Sequence, residues 1–170
     1  MSAIARTPSS SGAVTDPIRV MVVDDSVVIR GLVGRWLDEE PNLAVVASHR
    51  NGRLAVDDVL RSNPDVVILD IEMPDMDGLT ALPLLIEKKR NLVVVVASTL
   101  TRRNAEISLK ALSLGAADYV PKPESNSGVT TSADFRRELI EKVTNLGMRA
   151  KHRGLPGHAP ATRPAAPARP

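Results

Sequence analysis

Short apolar runs recur along the chain, and polar segments with helical character separate them. The runs are IRVMVV, LAVVAS, DVVILD, LVVVVA and ADYVP, all between residues 18 and 121. Runs rich in β-branched residues and apolar on both faces are typical of buried parallel strands, which connect through covering helices. The alternation therefore predicts a domain of βα units over residues 18–149.

Helical periodicity supports this interpretation in the first and last connecting segments. One face of the first helix is apolar at Ile29, Leu32, Val33, Trp36 and Leu37. One face of the last helix is apolar at Phe135, Leu139, Val143 and Leu146. Thr131 and Asp134 are spaced as a capping box at the start of that last helix. Pro83 predicts a kink or a delayed start in the third helix.

Five strands alternating with five helices predict an α/β fold, a flavodoxin-like doubly wound parallel sheet with strand order 2-1-3-4-5. In that order the first and third strands are neighbours, about 4.8 Å apart. Ligands bind such sheets in the crevice at the carboxyl ends, where the strand order reverses. Asp24 and Asp25 follow the first strand and Asp70 ends the third. We therefore expect three carboxylates to meet in that crevice.

Such a cluster of carboxylates needs compensation. Two like charges about 5 Å apart repel by about 3 kcal/mol at an effective dielectric constant near 20. The site should therefore raise the pKa of one carboxyl group or bind a cation, and hard oxygen ligands favour Mg²⁺. The alternative is purely local: Asp25 or Ser26 caps the first helix, and Asp70 opens the turn EMPDMDG.

The next two strand ends carry matching chemistry. Ser98 lies at the carboxyl end of the fourth apolar run, and Lys122 follows the fifth. A hydroxyl and an ammonium group that face Mg²⁺ and a carboxylate form a receptor for a phosphoryl group. Taken singly, each residue is typical of a turn or of the solvated surface. Their combination with the acidic cluster is what favours phosphoryl chemistry.

The motifs VVDDS, DVVILDIEMPDMDG, AST and YVPKP, in this order, resemble the receiver domain of two-component response regulators. The resemblance covers residues 18 to about 148. It implies that Asp70 accepts a phosphoryl group from a histidine kinase. It also implies that Asp24 and Asp25, together with Asp70 and the backbone carbonyl of Glu72, hold Mg²⁺.

The same resemblance implies roles for the residues at the fourth and fifth strand ends. Ser98 would bind the phosphoryl oxygens, and Lys122 would pair with them. Tyr119, the only tyrosine, matches an aromatic switch residue that moves inward when Ser98 shifts; otherwise it is a half-buried strand residue. A cis peptide bond is implied between Lys122 and Pro123. The output surface would be formed by the fourth helix, fifth strand and fifth helix.

Longer stretches are similar to the regulatory half of the chemotaxis protein-glutamate methylesterase, namely DDSVVIRGLVGRWL, STLTRRNAEISLKALSLGAADYVPKP and DFRRELIEKV. In that family a linker leads to a C-terminal esterase domain, which demethylates or deamidates chemoreceptors and is released by receiver phosphorylation. The implied partners are a chemotaxis histidine kinase, the chain's own esterase domain and, indirectly, the chemoreceptors. The esterase's nucleophile turn is missing here, so we expect no ester hydrolysis by this chain.

The flanking sequence differs from the body. Residues 1–17 are interpreted as a flexible arm, and residues 150–170, rich in Pro and Ala, as a basic linker whose effector domain is absent. That linker has four Lys or Arg and no acid, so the net charge of +2 leaves a mildly acidic body. Such a body argues against nucleic-acid binding. The segment 123–133 is long for a loop between strand and helix.

Cysteine is absent, and the longest apolar run, LVVVVA, is far below the ~18 residues of a membrane span. Both features fit a cytoplasmic protein without membrane insertion. Two alternatives remain open. One is a receiver with another output, either a stand-alone chemotaxis switch or a truncated transcriptional regulator. The other is an aspartyl-nucleophile phosphatase, which uses a second Asp two residues after its nucleophile; Glu72 occupies that position here.

Overall fold

The computed structural model describes residues 16–73, 76–99, 102–123 and 129–153. Within these ranges strands and helices alternate without exception. In chain order they are β1 (Ile18–Val23), α1 (Val27–Asp38), β2 (Leu43–His49), α2 (Gly52–Ser62), β3 (Val66–Asp70), α3 (Gly78–Lys88), β4 (Val93–Thr99), α4 (Arg102–Ser113), β5 (Asp118–Lys122) and α5 (Val129–Arg153). No helix in these ranges combines the length and apolar character that a membrane span requires.

The strands form one parallel sheet in the order β2-β1-β3-β4-β5, so the predicted fold is confirmed. β1 covers the predicted run IRVMVV from end to end, and the other strands agree with their runs to within two residues. In the centre of the sheet, Val23 of β1 lies beside Leu69 of β3, and Asp70 lies beside Ala97 of β4. The sheet thus brings the predicted acidic strand ends to one edge.

An apolar layer covers each face of the sheet. α1 and α5 pack on one face, with buried residues that include Val22, Val33, Leu37, Phe135 and Leu139. α2, α3 and α4 pack on the other, with buried residues that include Met21, Val59, Leu82, Leu85 and Ala111. Consecutive residues of β1 contribute to opposite layers because side chains alternate along a strand. The apolar faces predicted for the first and last helices pack inward as expected.

Local hydrogen bonds fix where three helices begin. Ser26 caps α1 by accepting the Ile29 N–H at 3.2 Å, and Asp77 caps α3 by accepting the Thr80 N–H at 2.8 Å. Asn51 caps α2 in the same way. Side-chain caps of this type satisfy backbone N–H groups that have no partner within the helix. Because Ser26 is the cap, Asp25 is left for another role.

Two predictions about where helices begin are wrong. α3 begins at Gly78 and continues through Pro83, which lies on its exposed side, so the start of the helix is not delayed. The kink at Pro83 stays a prediction. The buried residues of α3 hold it against the sheet in spite of the hydrogen bond that proline removes. α5 begins at Val129, so Thr131 and Asp134 lie inside the helix and not at its start, where the sequence places them.

α5 extends to Arg153, beyond the position where the linker is predicted to begin. Ala150 packs against the core, and Lys151 Nζ lies 3.2 Å from Asp65 Oδ2. Residues 1–15 and 154–170 lie outside the described part of the chain, as do residues 124–128 of the long segment. The arm, the linker and the exact domain boundary therefore stay predictions.

Candidate functional site

The carboxyl edge of the sheet gathers the three predicted acids. Asp24 follows β1 and Asp70 ends β3. Asp24, Asp25 and Asp70 can each offer one carboxylate oxygen, and these three oxygens lie within 4.8 Å of one another. Asp24 and Asp70 are only 4% and 3% exposed, whereas Asp25 is exposed. Asp24 Oδ1 also accepts the Ser26 N–H at 2.8 Å, which fixes one side of the cluster.

Lys122 at the end of β5 places its ammonium group between two of these acids. Its Nζ lies 2.8 Å from Asp70 Oδ1 and 3.2 Å from Asp24 Oδ2. Burial alone would lower the pKa of Lys122, but the adjacent charges of Asp70 and Asp24 outweigh it and raise that pKa. The lysine therefore stays protonated and partly neutralises the acidic cluster.

Lys122 does not offset the burial and the neighbouring acids at Asp70, whose pKa is raised. Burial, the charge of Asp24 and a hydrogen bond with Asp25 raise the pKa of Asp70 to about 7, although Lys122 acts in the opposite direction. The pKa of one carboxyl group is raised, as expected, with burial as the largest cause and the charge of Asp24 as a smaller one. The edge retains negative charge that a further cation would neutralise.

The peptide bond between Lys122 and Pro123 is trans, and the implied cis bond is wrong: no peptide bond between described residues is cis. The trans form is favoured by about 0.5–1 kcal/mol even before proline. The Lys122 side chain contacts both acids with this backbone geometry. Contact between the lysine and the acids therefore does not need a cis bond.

An open cleft of about 220 Å³ lies above the acids, lined by Asp25, Asp70, Glu72, Ser98, Thr99 and Lys122. Ser98 projects from β4, where it pairs in register with Pro121 of β5. It is 5% exposed, and its Oγ lies 3.1 Å from the Oγ of Ser108 on α4. The structure thus places every predicted site residue but Asp24 and Tyr119 on the wall of one cleft.

A second cavity of about 140 Å³ adjoins Ser98 between the sheet and α4. It is lined by Ser98, Thr99, Ala105, Ser108, Leu109, Tyr119 and Pro121. Tyr119 is 37% exposed, and its ring lies 5.6 Å from Lys142 Nζ of α5. Ser98 and Tyr119, the two predicted switch residues, therefore line the same cavity. The partly exposed placement of the Tyr119 side chain is called its outer position below.

Three residues that shape this region were missed from the sequence. Ser108 is a polar residue three positions before the buried Ala111, which is a readable signal of an inward-facing hydroxyl. Lys142 lies three positions after the buried Leu139, and nothing in the pattern connects it with β5. Gly78 donates its N–H to the Ile71 carbonyl at 2.8 Å, and a Cβ there would lie 2.4 Å from the Asp70 carbonyl oxygen.

Comparison with known proteins agrees with this geometry. The family described as response regulator receiver domain matches residues 20–134. The chain belongs to the response regulator receiver domain family. Among solved structures, the response regulator domain of Thermotoga maritima CheB is similar with a TM-score of 0.69 and 37% identity. That similarity covers 78% of this chain and 97% of the Thermotoga chain.

Similar curated relatives include protein-glutamate methylesterases/protein-glutamine glutaminases. A protein-glutamate methylesterase/protein-glutamine glutaminase of group 2 operon from Rhodopseudomonas palustris is 55% identical over 157 residues. A protein-glutamate methylesterase/protein-glutamine glutaminase from Nitrobacter hamburgensis is 57% identical over 150 residues. These matches cover 92% and 88% of this chain but only 40% and 39% of the relatives. The chain therefore spans about two fifths of the length of the relatives it matches.

Proposed function

We propose that this receiver domain accepts a phosphoryl group on Asp70 from a phosphohistidine of a chemotaxis histidine kinase in the cytoplasm. It would thereby control a C-terminal protein-glutamate methylesterase/glutamine deamidase that acts on chemoreceptors. The observation that carries the phosphoacceptor role is the cluster of three carboxylates with Lys122 Nζ 2.8 Å from Asp70. The names of the similar relatives support the esterase output.

Asp70 supplies the nucleophile. A carboxylate oxygen of Asp70 forms a bond to phosphorus while the phosphorus–nitrogen bond to the kinase histidine breaks, and the imidazole leaves with a proton. Only the ionised carboxyl group attacks, and the pKa of Asp70 near 7 keeps much of it protonated in the absence of a cation. Added positive charge would lower this pKa and increase the reactive fraction.

The donor set fits Mg²⁺, since the acids offer hard oxygens close enough to share one ion. Asp24, Asp25 and Asp70 would hold it, together with the backbone carbonyl of Glu72. When bound, Mg²⁺ would neutralise charge that develops on the phosphoryl oxygens. A similar solved structure supports this: the CheX-CheY-BeF3-Mg+2 complex from Borrelia burgdorferi, with a TM-score of 0.64 and 26% identity over 77% of this chain and 90% of that one.

Lys122 and Ser98 would stabilise the phosphorylated state. The Lys122 ammonium already contacts Asp70 Oδ1 and would pair with an oxygen of the transferred group. The Ser98 hydroxyl would exchange its contact with Ser108 for another phosphoryl oxygen. Tyr119 would then enter the cavity of about 140 Å³ that it shares with Ser98, and so alter the α4–β5–α5 surface.

Mass spectrometry of the intact protein tests the phosphoacceptor role. After treatment with acetyl phosphate and Mg²⁺, we expect the wild type to gain one phosphoryl group and Asp70→Asn to gain none. Asp65→Asn is a matched control at the opposite edge of the sheet and should be labelled as the wild type is. Equal labelling of wild type and Asp70→Asn would overturn the assignment of Asp70.

The esterase output needs its own test because the chain covers only part of its relatives. A separately produced methylesterase domain from a similar relative is assayed with this receiver added. Inhibition that phosphorylation relieves is the expected result. If the receiver has no effect on the esterase in either state, the output belongs instead to a stand-alone chemotaxis switch or a transcriptional regulator.

A further inference from the structure

The contacts of Lys142 connect α5 with the switch tyrosine of β5. Lys142 Nζ donates to the Tyr119 carbonyl at 2.8 Å and lies 5.6 Å from the centroid of the Tyr119 ring. It also lies 3.3 Å from Asp118 Oδ1 and 3.1 Å from Glu138 Oε1. One ammonium group therefore contacts both the backbone and the side chain of Tyr119.

The ammonium position does not depend on where the ring points. Three of the contacts of Lys142 involve oxygens on the backbone of β5, on Asp118 and on Glu138 of its own helix. These oxygens stay in place if the Tyr119 side chain changes rotamer. The contact with the ring is different, because it exists only while the ring lies outside.

The alternative ring position is the cavity of about 140 Å³ between β4, β5 and α4. A ring that moves there leaves Lys142, which is on α5 at the other side of β5. A cation over an aromatic face at a partly exposed site stabilises the pair by about 0.5–1 kcal/mol. An interaction present in only one of two states shifts the equilibrium toward that state.

We propose that Lys142 is a positioning residue that holds Tyr119 in its outer position and thereby sets how readily the receiver adopts its active arrangement. This inference rests on the proposed function, since it requires that phosphorylation of Asp70 draws Tyr119 inward. In this scheme the ion pairs of Lys142 are with Asp118 and Glu138 and not with the acidic cluster at the carboxyl edge, and Lys142 does not contact the phosphoryl group. Its proposed effect on the switch passes through Tyr119.

The single tyrosine allows a direct test. Protein labelled with 3-fluorotyrosine gives a fluorine resonance from Tyr119 only, and beryllium fluoride with Mg²⁺ serves as the phosphoryl mimic. Relative to wild type, we expect Lys142→Met to bind beryllium fluoride about 2- to 5-fold more tightly. Its resonance without beryllium fluoride should move toward the bound position. Lys142→Gln, which retains a polar side chain, should behave in the same way.

Lys142→Arg keeps a cation over the ring and should restore wild-type affinity and resonance. Lys151→Met is the matched control on the same helix, since Lys151 pairs with Asp65 far from Tyr119, and it should also match wild type. If Lys142→Met and Lys142→Gln leave affinity and resonance unchanged, or if Lys142→Arg behaves as they do, the role of Lys142 is overturned.

Labelling with acetyl phosphate separates this inference from the function on which it rests. Lys142→Met should gain one phosphoryl group, as the wild type does, because Lys142 does not contact Asp70. Absence of labelling in the wild type would contradict the phosphoacceptor role itself. Normal labelling with an unchanged Tyr119 resonance would contradict only the role of Lys142.

Discussion

Charged side chains make different kinds of contact at the two edges of the sheet. At the amino edge, the Arg19 guanidinium donates to the Ser62 carbonyl at 2.6 Å and the Asn63 carbonyl at 2.9 Å, which closes the end of α2. Asp65 accepts the Arg19 backbone N–H at 2.9 Å and pairs with Lys151. Lys89 donates to the Pro64 carbonyl at the same edge, and burial together with the charges of Arg19 and Lys151 lowers its pKa, although Asp65 acts in the opposite direction. The amino edge therefore carries an excess of positive charge that is directed at backbone carbonyls and at Asp65.

At the carboxyl edge, one ammonium group contacts two of the three clustered carboxylates. Lys122 contacts Asp24 and Asp70, and the pKa of Asp70 still rises to about 7. Burial of a carboxylate without full compensation costs stability. The comparison indicates that the cations of the amino edge stabilise the fold by donating to backbone carbonyls, whereas the acids of the carboxyl edge keep negative charge that a further cation would neutralise.

Removing the Asp70 charge should produce the largest effect. Its folded pKa of about 7 exceeds the ordinary 3.8, so between these values the folded protein holds a proton that the unfolded chain has lost. Stability from this group is therefore lost as pH rises from about 4 to 8, by up to about 4 kcal/mol. In metal-free buffer, Asp70→Asn should remove this pH dependence and be more stable than wild type at pH 8.

Urea unfolding followed by the fluorescence of Trp36, the only tryptophan, measures this difference. A wild type whose stability falls no more steeply with pH than that of Asp70→Asn would contradict the imbalance at the carboxyl edge.

Gly78 lies where two backbone segments approach closely at the carboxyl edge. A substitution there tests how much this close packing contributes to stability. A Cβ at Gly78 would lie 2.4 Å from the Asp70 carbonyl oxygen, so Gly78→Ala should lower the free energy of unfolding by about 1–3 kcal/mol. Gly31→Ala is the matched control, since nothing lies within 4 Å of a Cβ there, and it should be neutral or stabilising. Equal effects of the two substitutions would show that the close approach at Gly78 has no energetic weight.

At the amino edge, removal of an acid should lower stability, which is the opposite of the effect expected for Asp70→Asn at pH 8. Asp65→Ala removes the acceptor for the Arg19 N–H and the partner of Lys151, so we expect a loss of about 1–2 kcal/mol of stability. Urea unfolding at pH 8, beside Asp70→Asn, provides the direct comparison. If Asp65→Ala stabilised the protein, the contacts of Asp65 would not contribute to stability, and the contrast between the two edges would be wrong.

Magnesium should produce the smallest effect and only at the carboxyl edge. At five times its dissociation constant, Mg²⁺ should stabilise the wild type by about 1 kcal/mol, because it binds the folded cluster alone. Asp70→Asn should gain less, while Asp65→Ala should gain as much as wild type. Thermal unfolding with and without Mg²⁺ measures the three proteins, and equal gains in all would exclude the acidic cluster as the binding site.

Strand runs and strand-end acids could be read from the sequence because they are local and periodic. Asp24 directly follows the run that became β1, and Asp70 ends the run that became β3. The sheet topology follows from the alternation of such runs with helices. Pro83 misled the prediction, since tertiary packing of α3 overrides the local preference. The start of α5 was missed because a capping pattern also occurs inside a helix.

By itself, the sequence determined the order of strands and helices and which residues meet at the carboxyl edge. Hydrophobic periodicity and strand ends depend on neighbouring residues, so they are visible along the chain. Only the tertiary structure decided that Lys122 lies between Asp24 and Asp70, that Ser108 pairs with Ser98, and that Lys142 reaches Tyr119. These contacts join separate elements, and their distances depend on how helices pack on the sheet.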